Sequence, residues 1–246
     1  MAEPLCRIEA PTLDVPLIIL FESPVFEVDR SDTSRWTPRR SFVAGLSDTF
    51  ALVGSRGPMA GVQVDLTPIG ARRLLGFPLE HITGRMIEIE DIWGADARRL
   101  IASLADAPDW QARFTLLDRE LAARMARQPE ADPVAAMALT RLTESGGSIP
   151  IRQLVEASGW SSRHFIARVR HEFGLSPKTL ARVLRFDRAI EALRSPGQVR
   201  LADVAAACGY ADQSHFTRDF REFAGCTPTD LLAARLPDAG GFAAPG

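Results

Sequence analysis

The sequence predicts an α+β chain: a β-rich, barrel- or sandwich-like N-terminal domain with accessory helices, then an all-α C-terminal domain of two similar helical units joined by a long helix. Three observations predict it. Short apolar or alternating runs rich in Val, Ile and Phe fill the first part of the chain. Helical periodicity takes over from Thr67 onward. A helical block then occurs twice between Leu154 and Pro228.

The strands are read in order. Val15–Phe21, Val25–Val28, Ser41–Leu46, Thr49–Val53 and Gly61–Leu66 are separated by turn residues such as Ser23-Pro24, Gly54-Ser55 and Gly57-Pro58. Thr67-Pro68 is a helix start, because a capping Thr precedes a Pro in the first turn. That helix stops at Gly76. Met86–Ile92 is expected to be one more strand, followed by helices over Ala95–Ala105 and Pro108–Arg127. In the second of these, Trp110, Phe114, Leu117 and Leu121 recur at spacings that define one apolar face. The polar stretch Gln128-Pro-Glu-Ala-Asp-Pro133 reads as a linker, and Glu144-Ser-Gly-Gly-Ser148 as a second break. The domains expected are therefore 1–127 (β-rich, with trailing helices), 128–148 (linker and connecting helix), 149–236 (helical) and 237–246 (a flexible tail).

Composition narrows the function classes. With 246 residues, 46% hydrophobic and 24% charged, the chain is of soluble globular type. Its longest early apolar run, Val15–Phe21, contains Pro16 and is far shorter than the ~20 residues a membrane helix needs. No secretory leader is recognisable, so a cytoplasmic protein without membrane contact is expected. Cys6, Cys208 and Cys226 are scattered and odd in number, and the four histidines show no HExxH spacing. Neither a disulfide scaffold nor a metal site or cofactor is expected. No Gly-rich phosphate loop or nucleophile elbow appears, so the chain is read as not an enzyme.

Charge is unevenly placed. Gly146–Leu236 carries thirteen basic and nine acidic residues, whereas Met1–Ser145 carries sixteen and twenty-one. A basic C-terminal part behind an acidic N-terminal part fits two domains, one of which faces phosphate.

The repeat gives that charge a geometry. Leu154-Val-Glu-Ala-Ser-Gly-Trp160, followed by Phe165, Val169, Arg170, Gly174 and Pro177, is the first copy. Val204-Ala-Ala-Ala-Cys-Gly-Tyr210, followed by Phe216, Phe220, Arg221, Gly225 and Pro228, is the second. Each is a short helix closed by Gly, then a capping residue (Ser161, Asp212) opening the next helix, which is the grammar of a helix-turn-helix. In the second copy Phe216, Phe220 and Phe223 must face inward, leaving Gln213, Ser214, Thr217, Arg218 and Arg221 outward. Gln suits adenine and Arg suits guanine in a major groove. The first copy turns Ser162, Arg163, Ile166, Ala167 and Arg170 outward, so it is the weaker base reader. Between the copies Ser176-Pro177 opens a helix to about Arg194. At 1.5 Å per residue that is a strut of roughly 27 Å, able to help set two reading helices about one DNA turn, roughly 34 Å, apart.

At these residues the chain resembles a known family. Leu201–Phe216, followed by Thr-Arg-Asp-Phe-Arg221 and Gly225-Cys-Thr-Pro228, is similar to the signature of the AraC/XylS bacterial transcription regulators. Ser176-Pro-Lys178 and Leu184–Ala189 resemble that family's linker-helix motif. The resemblance implies a seven-helix, two-unit domain binding double-stranded promoter DNA, with base contacts at Arg163, Gln213, Ser214 and Arg218. The family often has Arg where Ala167 stands, beside the retained Arg168. Gly61–Gly70 and Leu74–Pro78 are reminiscent of a sensing or dimerising half found in one branch. The full DNA-binding set expected is Ser162, Arg163, His164, Arg168, Arg170, Lys178, Gln213, Ser214, Thr217, Arg218 and Arg221. A small-molecule effector, RNA polymerase and a second copy of the chain are candidate partners. The alternative is a small-molecule-binding or modifying protein with a vestigial helical tail.

Overall fold

The computed structural model describes residues 5–194, 200–233 and 242–243. All its strand pairs are antiparallel, and they form two sheets rather than one closed barrel. The first sheet holds β1 (Leu5–Glu9), β3 (Val25–Val28), β4 (Trp36–Arg39), β6 (Ala51–Ser55) and β9 (Phe242–Ala243), in the order β4-β3-β6-β1-β9. The second holds β2 (Val15–Leu20), β5 (Ser41–Ala44), β7 (Gly61–Leu66) and β8 (Met86–Glu88), in the order β7-β2-β5-β8.

The sheets stack because β2 is apolar on both faces. Ile18 and Leu20 face the first sheet with Phe42, Val25 and Val53. Leu17 and Ile19 face the helices, packing with Leu74, Leu100, Leu104, Leu117 and Leu121. An uninterrupted apolar run is what a strand buried on both sides requires. The β-rich half is thus three layers: sheet, sheet, helices.

Those helices are α1 (Pro68–Leu75), α2 (Ile89–Trp93), α3 (Ala95–Asp106) and α4 (Trp110–Met125), with a 3-10 turn over Leu79–Ile82. Four expectations need correction here. The strand over Met86–Ile92 ends at Glu88, and Ile89 opens α2, whose buried Ile89 plugs the helical layer. Leu5–Glu9 and Trp36–Arg39 are strands that the pattern did not reveal, since neither carries a clean apolar alternation. On α4, Leu117 and Leu121 are buried as expected, but Trp110 and Phe114 are 49% and 48% exposed. In the terminal stretch expected to fray, Phe242 and Ala243 pair with Ile8 and Arg7; the rest of 237–246 lies outside the described residues.

Seven helices follow: α5 (Pro133–Glu144), α6 (Ile151–Ser158), α7 (Ser162–Phe173), α8 (Pro177–Arg194), α9 (Leu201–Ala207), α10 (Gln213–Ala224) and α11 (Pro228–Ala233). Among the described residues six of them, α6–α11, lie in the 149–236 stretch expected to be the helical domain, and α5 precedes it. Asp132, in the stretch read as a linker, caps α5 by accepting from Val134 N and Ala135 N at 2.9 and 3.1 Å. α5 packs on α7 and α8, so the helix between the halves is built into the helical part. The apolar core runs unbroken across the junction, from Leu79 and Ile82 to Phe173 and Leu175. Among the described residues, no helix is long and apolar enough to cross a membrane.

Candidate nucleic-acid interface

Both helical units close as their sequences dictate. α6 ends at Gly159, with φ 69°, and α9 is followed by Gly209, with φ 77°; this left-handed turn costs a glycine least. The next side chain, Trp160 or Tyr210, stands edge-on against a histidine of the following helix. Its ring centroid lies 4.5 Å from His164 and 5.3 Å from His215, respectively. Each histidine therefore packs its turn against the helix that follows. Ser161 Oγ accepts from His164 N at 3.3 Å, and Asp212 Oδ1 from His215 N at 2.7 Å, so both anticipated caps are present.

Burial then fixes which face of each reading helix is free. Phe165, Val169 and Phe173 of α7 are fully buried, as are Phe216, Phe220 and Phe223 of α10. Phe186 of α8 packs edge-on against Phe220 and Phe223, at 4.8 and 5.1 Å between centroids. On the opposite side of α10, Gln213, Ser214, Arg218 and Arg221 are exposed and Thr217 is half-buried. These five alone line an open concavity of about 450 Å³. Thr217 Oγ1 donates to Gln213 O at 2.9 Å, which holds the hydroxyl along the helix. On α7, Ser162, Arg163, His164, Ile166, Ala167 and Arg170 are exposed, Ile166 by 41%. Lys178, in the first turn of α8, is exposed too. Arg163, Arg170, Lys178 and Arg218 make no ion pair among the described residues, and such cations are available to an external anion.

Arg168 is the member of the expected set that the structure turns elsewhere. At 100° per residue it stands roughly 140° around α7 from Arg163 and 160° from Arg170. Its Nε donates to Asp132 Oδ2 at 3.0 Å, and its Nη2 lies 3.8 Å from Glu172 Oε1. Burial opposes ionisation of Asp132, but the Ala135 N–H, the Arg168 guanidinium and the Val134 N–H outweigh it. The carboxyl is held below its ordinary value. Arg168 is thus a tie between α7 and the segment leading into α5.

Three residues outside the expected set, Arg182, Asp219 and Glu222, shape the site. Arg182 of α8 donates to Asp219 Oδ1 at 2.8 Å and grips Glu222 through two nitrogens, at 3.0 and 2.6 Å. Its guanidinium also lies 4.7 Å from the Phe223 ring centre. Asp219 is only 2% exposed. The Arg182 hydrogen bonds pull Glu222 below the usual carboxylate range. This fork locks α10 onto α8. A signal was legible: Asp219 lies between Phe216 and Phe223 on the inward face, where a carboxylate needs a buried cation. The offset of 51 residues that separates Phe165 from Phe216 also pairs Arg168 with Asp219, so one duplicated position carries opposite charges and a structural tie in each unit. Farther along α8, Arg185 donates to Gly147 O at 2.9 Å, and Arg188 to Gly146 O and Ala207 O, each at 3.4 Å. Much of the C-terminal basic excess is therefore spent inside the fold. Among the described residues, no group of three or more His, Cys, Asp or Glu could hold a metal.

Comparison with known proteins agrees with this geometry. The family model described as a helix-turn-helix domain matches residues 154–234. ToxT from Vibrio cholerae O395 superposes with a TM-score of 0.50 at 12% identity, over 94% of this chain and 96% of that one. Unsaturated fatty acid bound wild-type ToxT from Vibrio cholerae strain SCE256 gives 0.50 at 12%, over 93% and 94%. The C-terminal domain of AraT, a response regulator from Geobacillus stearothermophilus, gives 0.41 at 18%, over 46% and 93%. No curated protein matches the chain by sequence. The ToxT likeness shows a shared fold from the sheets to the last helices, and the family match fixes the helical part. Residues 154–234 are therefore an AraC-type helix-turn-helix domain, set behind an N-terminal half whose fold the ToxT structures share.

Proposed function

We propose that the chain binds promoter DNA by placing α7 and α10 in two successive major grooves, with α10 doing most of the base reading. One observation carries this. Gln213, Ser214, Thr217, Arg218 and Arg221 share one open face, held from behind by three buried phenylalanines and the Arg182 fork. The matching positions of α7 include Ile166 and Ala167, which offer no hydrogen bond. On α10, Gln213 is assigned to adenine and Arg218 to guanine. Arg170, Arg221 and Lys178 are assigned to phosphate, and Arg163 is the one long polar reader on α7. No enzymatic reaction is assigned. A protein acting at bacterial promoters works in the cytoplasm, within reach of RNA polymerase.

Responsiveness to a small molecule belongs to the same proposal, because the stacked sheets are incompletely filled. A cavity of about 300 Å³ lies between them, lined among others by Ile18, Val25, Phe42, Val53 and Met86. That is at the small end of the range that ligand sites occupy.

The roles separate by experiment. A preferred duplex is first selected from a random library, then titrated against variants at several salt concentrations. Arg218→Ala should cost roughly 1–3 kcal/mol on that duplex and relax preference at one base position. Arg170→Ala should weaken binding to every sequence and reduce the salt slope by about one. An equal loss on all sequences for Arg218→Ala would remove it from base reading.

A further inference from the structure

Each reading helix ends against the β-rich half at the same repeated position. Gly174 caps α7 and Gly225 caps α10, fifty-one residues apart, with φ 84° and 72°. A methyl group on Gly174 would collide with the Thr83 hydroxyl and stand 3.2 Å from Leu79 O. One on Gly225 would stand 2.5 and 2.7 Å from Cε1 and Cζ of Phe50. Both glycines are therefore seats as well as caps: a backbone face on which an N-terminal side chain rests. Each cap also reaches the DNA face. Gly174 N donates to Arg170 O at 2.7 Å and Gly225 N to Arg221 O at 3.1 Å, and these are the two arginines assigned to phosphate.

The two seats are not equally secured. Around α7, the buried Arg72 of α1 donates to the buried Glu172 at 2.9 Å, and His171 contacts Glu80. Unit one is thus pinned by charge. Unit two meets the ring of Phe50, presented by a short turn before β6. In that turn Ser47 Oγ donates to Thr49 O at 2.9 Å and accepts from Thr49 N at 3.2 Å. The Arg30 guanidinium lies 5.2 Å from the Phe50 ring centre and donates to Thr49 Oγ1 at 2.6 Å. The ring is thus flanked by Arg30 and braced by a hydrogen-bonded turn, which suits a stop for another element.

We propose that Phe50 is a positioning residue that sets the pose of α10 relative to α7, so that the β-rich half fixes the half-site spacing the protein accepts. This rests on the assignment of both helices to DNA. Unit one is anchored to the β-rich half through Arg72–Glu172 and Thr83; unit two is registered against the same body through Phe50 and Gly225. The two grooves are then measured by the whole chain, with α8 as one arm of the gauge and the N-terminal half as the other.

The test uses the full chain and a duplex selected by the parent from a random library, remade with one or two base pairs inserted or deleted between the half-sites. The parent should lose about tenfold or more in affinity on a one-base-pair change, the scale of a single mismatch. Phe50→Ala should lose less than about threefold on that change while keeping its preference for the bases facing each helix. Arg30→Ala, at an exposed position that carries no core packing, should show the same broadening to a smaller degree, and decides the matter should Phe50→Ala not fold. A spacing preference unchanged in both variants would overturn the proposal, as would a loss of affinity equal at all spacings. If the parent itself selects no sequence, the assignment of the helices to DNA fails instead, and that outcome is distinct from the other two.

Discussion

Asp187 shows how far a single residue's behaviour departs from its sequence context. It lies in the Leu184–Ala189 motif of α8, between Phe186 and Arg188. In the fold, burial pushes its carboxyl up to about 6, with Glu191 and Asp14 adding to the rise and Arg194 opposing it. A raised acid favours the protonated form, so its contribution to stability is whole below about pH 4 and is lost as pH climbs through 6. At neutral pH the charged Asp187 is a cost. Asp187→Asn should therefore raise the unfolding free energy by about 1 kcal/mol at pH 7.5, after screening by solvent, and leave it unchanged near pH 4. Urea titration at the two pH values checks it. The residue scale is also where the sequence was least legible. Arg168 looks like a surface charge in a string of polar letters, and Asp219 differs from one only by its phase between Phe216 and Phe223. Only the helical phase against Phe165 and Phe216, combined with a partner from a distant segment, shows that they are ties.

At the scale of elements, most boundaries were legible because local chemistry set them. The caps Ser161 and Asp212, the closing Gly76, Gly159 and Gly209, and the openings Thr67-Pro68 and Ser176-Pro177 act within a few residues. Elements decided at a distance were not legible. β1 and β4 are strands because β6 and β3 pair with them. Trp110 and Phe114 extend an apolar periodicity beyond the part of α4 that has a neighbour; at the surface Trp110 packs instead with Phe21, Arg113 and Phe114. The same reasoning gives the attachment of α10 a definite weight. Arg182→Ala would leave Asp219, 2% exposed, without its guanidinium partner. Breaking a buried pair from one side costs ~3–5 kcal/mol, and the partial exposure of Arg182 brings the expected loss to about 2 kcal/mol. Thermal unfolding measures it. A variant as stable as the parent would show that α10 is held by the phenylalanine packing alone.

For the whole molecule, the division into a β-rich half and a helical half was legible from the change in periodicity and charge, and the paired reading helices from the repeat. The way the halves meet was not. The polar stretch 128–133 suggested a tether, yet Asp132 caps α5 and holds Arg168, and Arg73 lies 3.8 Å from Glu130. One apolar core continues from the sheets into α7 and α8. Such a junction is specified by side chains more than ninety residues apart in sequence, as with Arg72 and Glu172, and no local pattern encodes it. The consequence is that α7 and α10 are presented from one continuously packed body. Hydroxyl-radical footprinting of the full chain on its selected duplex tests this most directly. Two protected patches on one face of the DNA, centred about 10–10.5 base pairs apart, are predicted, with Arg218→Ala weakening only the α10 patch. A single patch, or protection that does not depend on sequence, would contradict it.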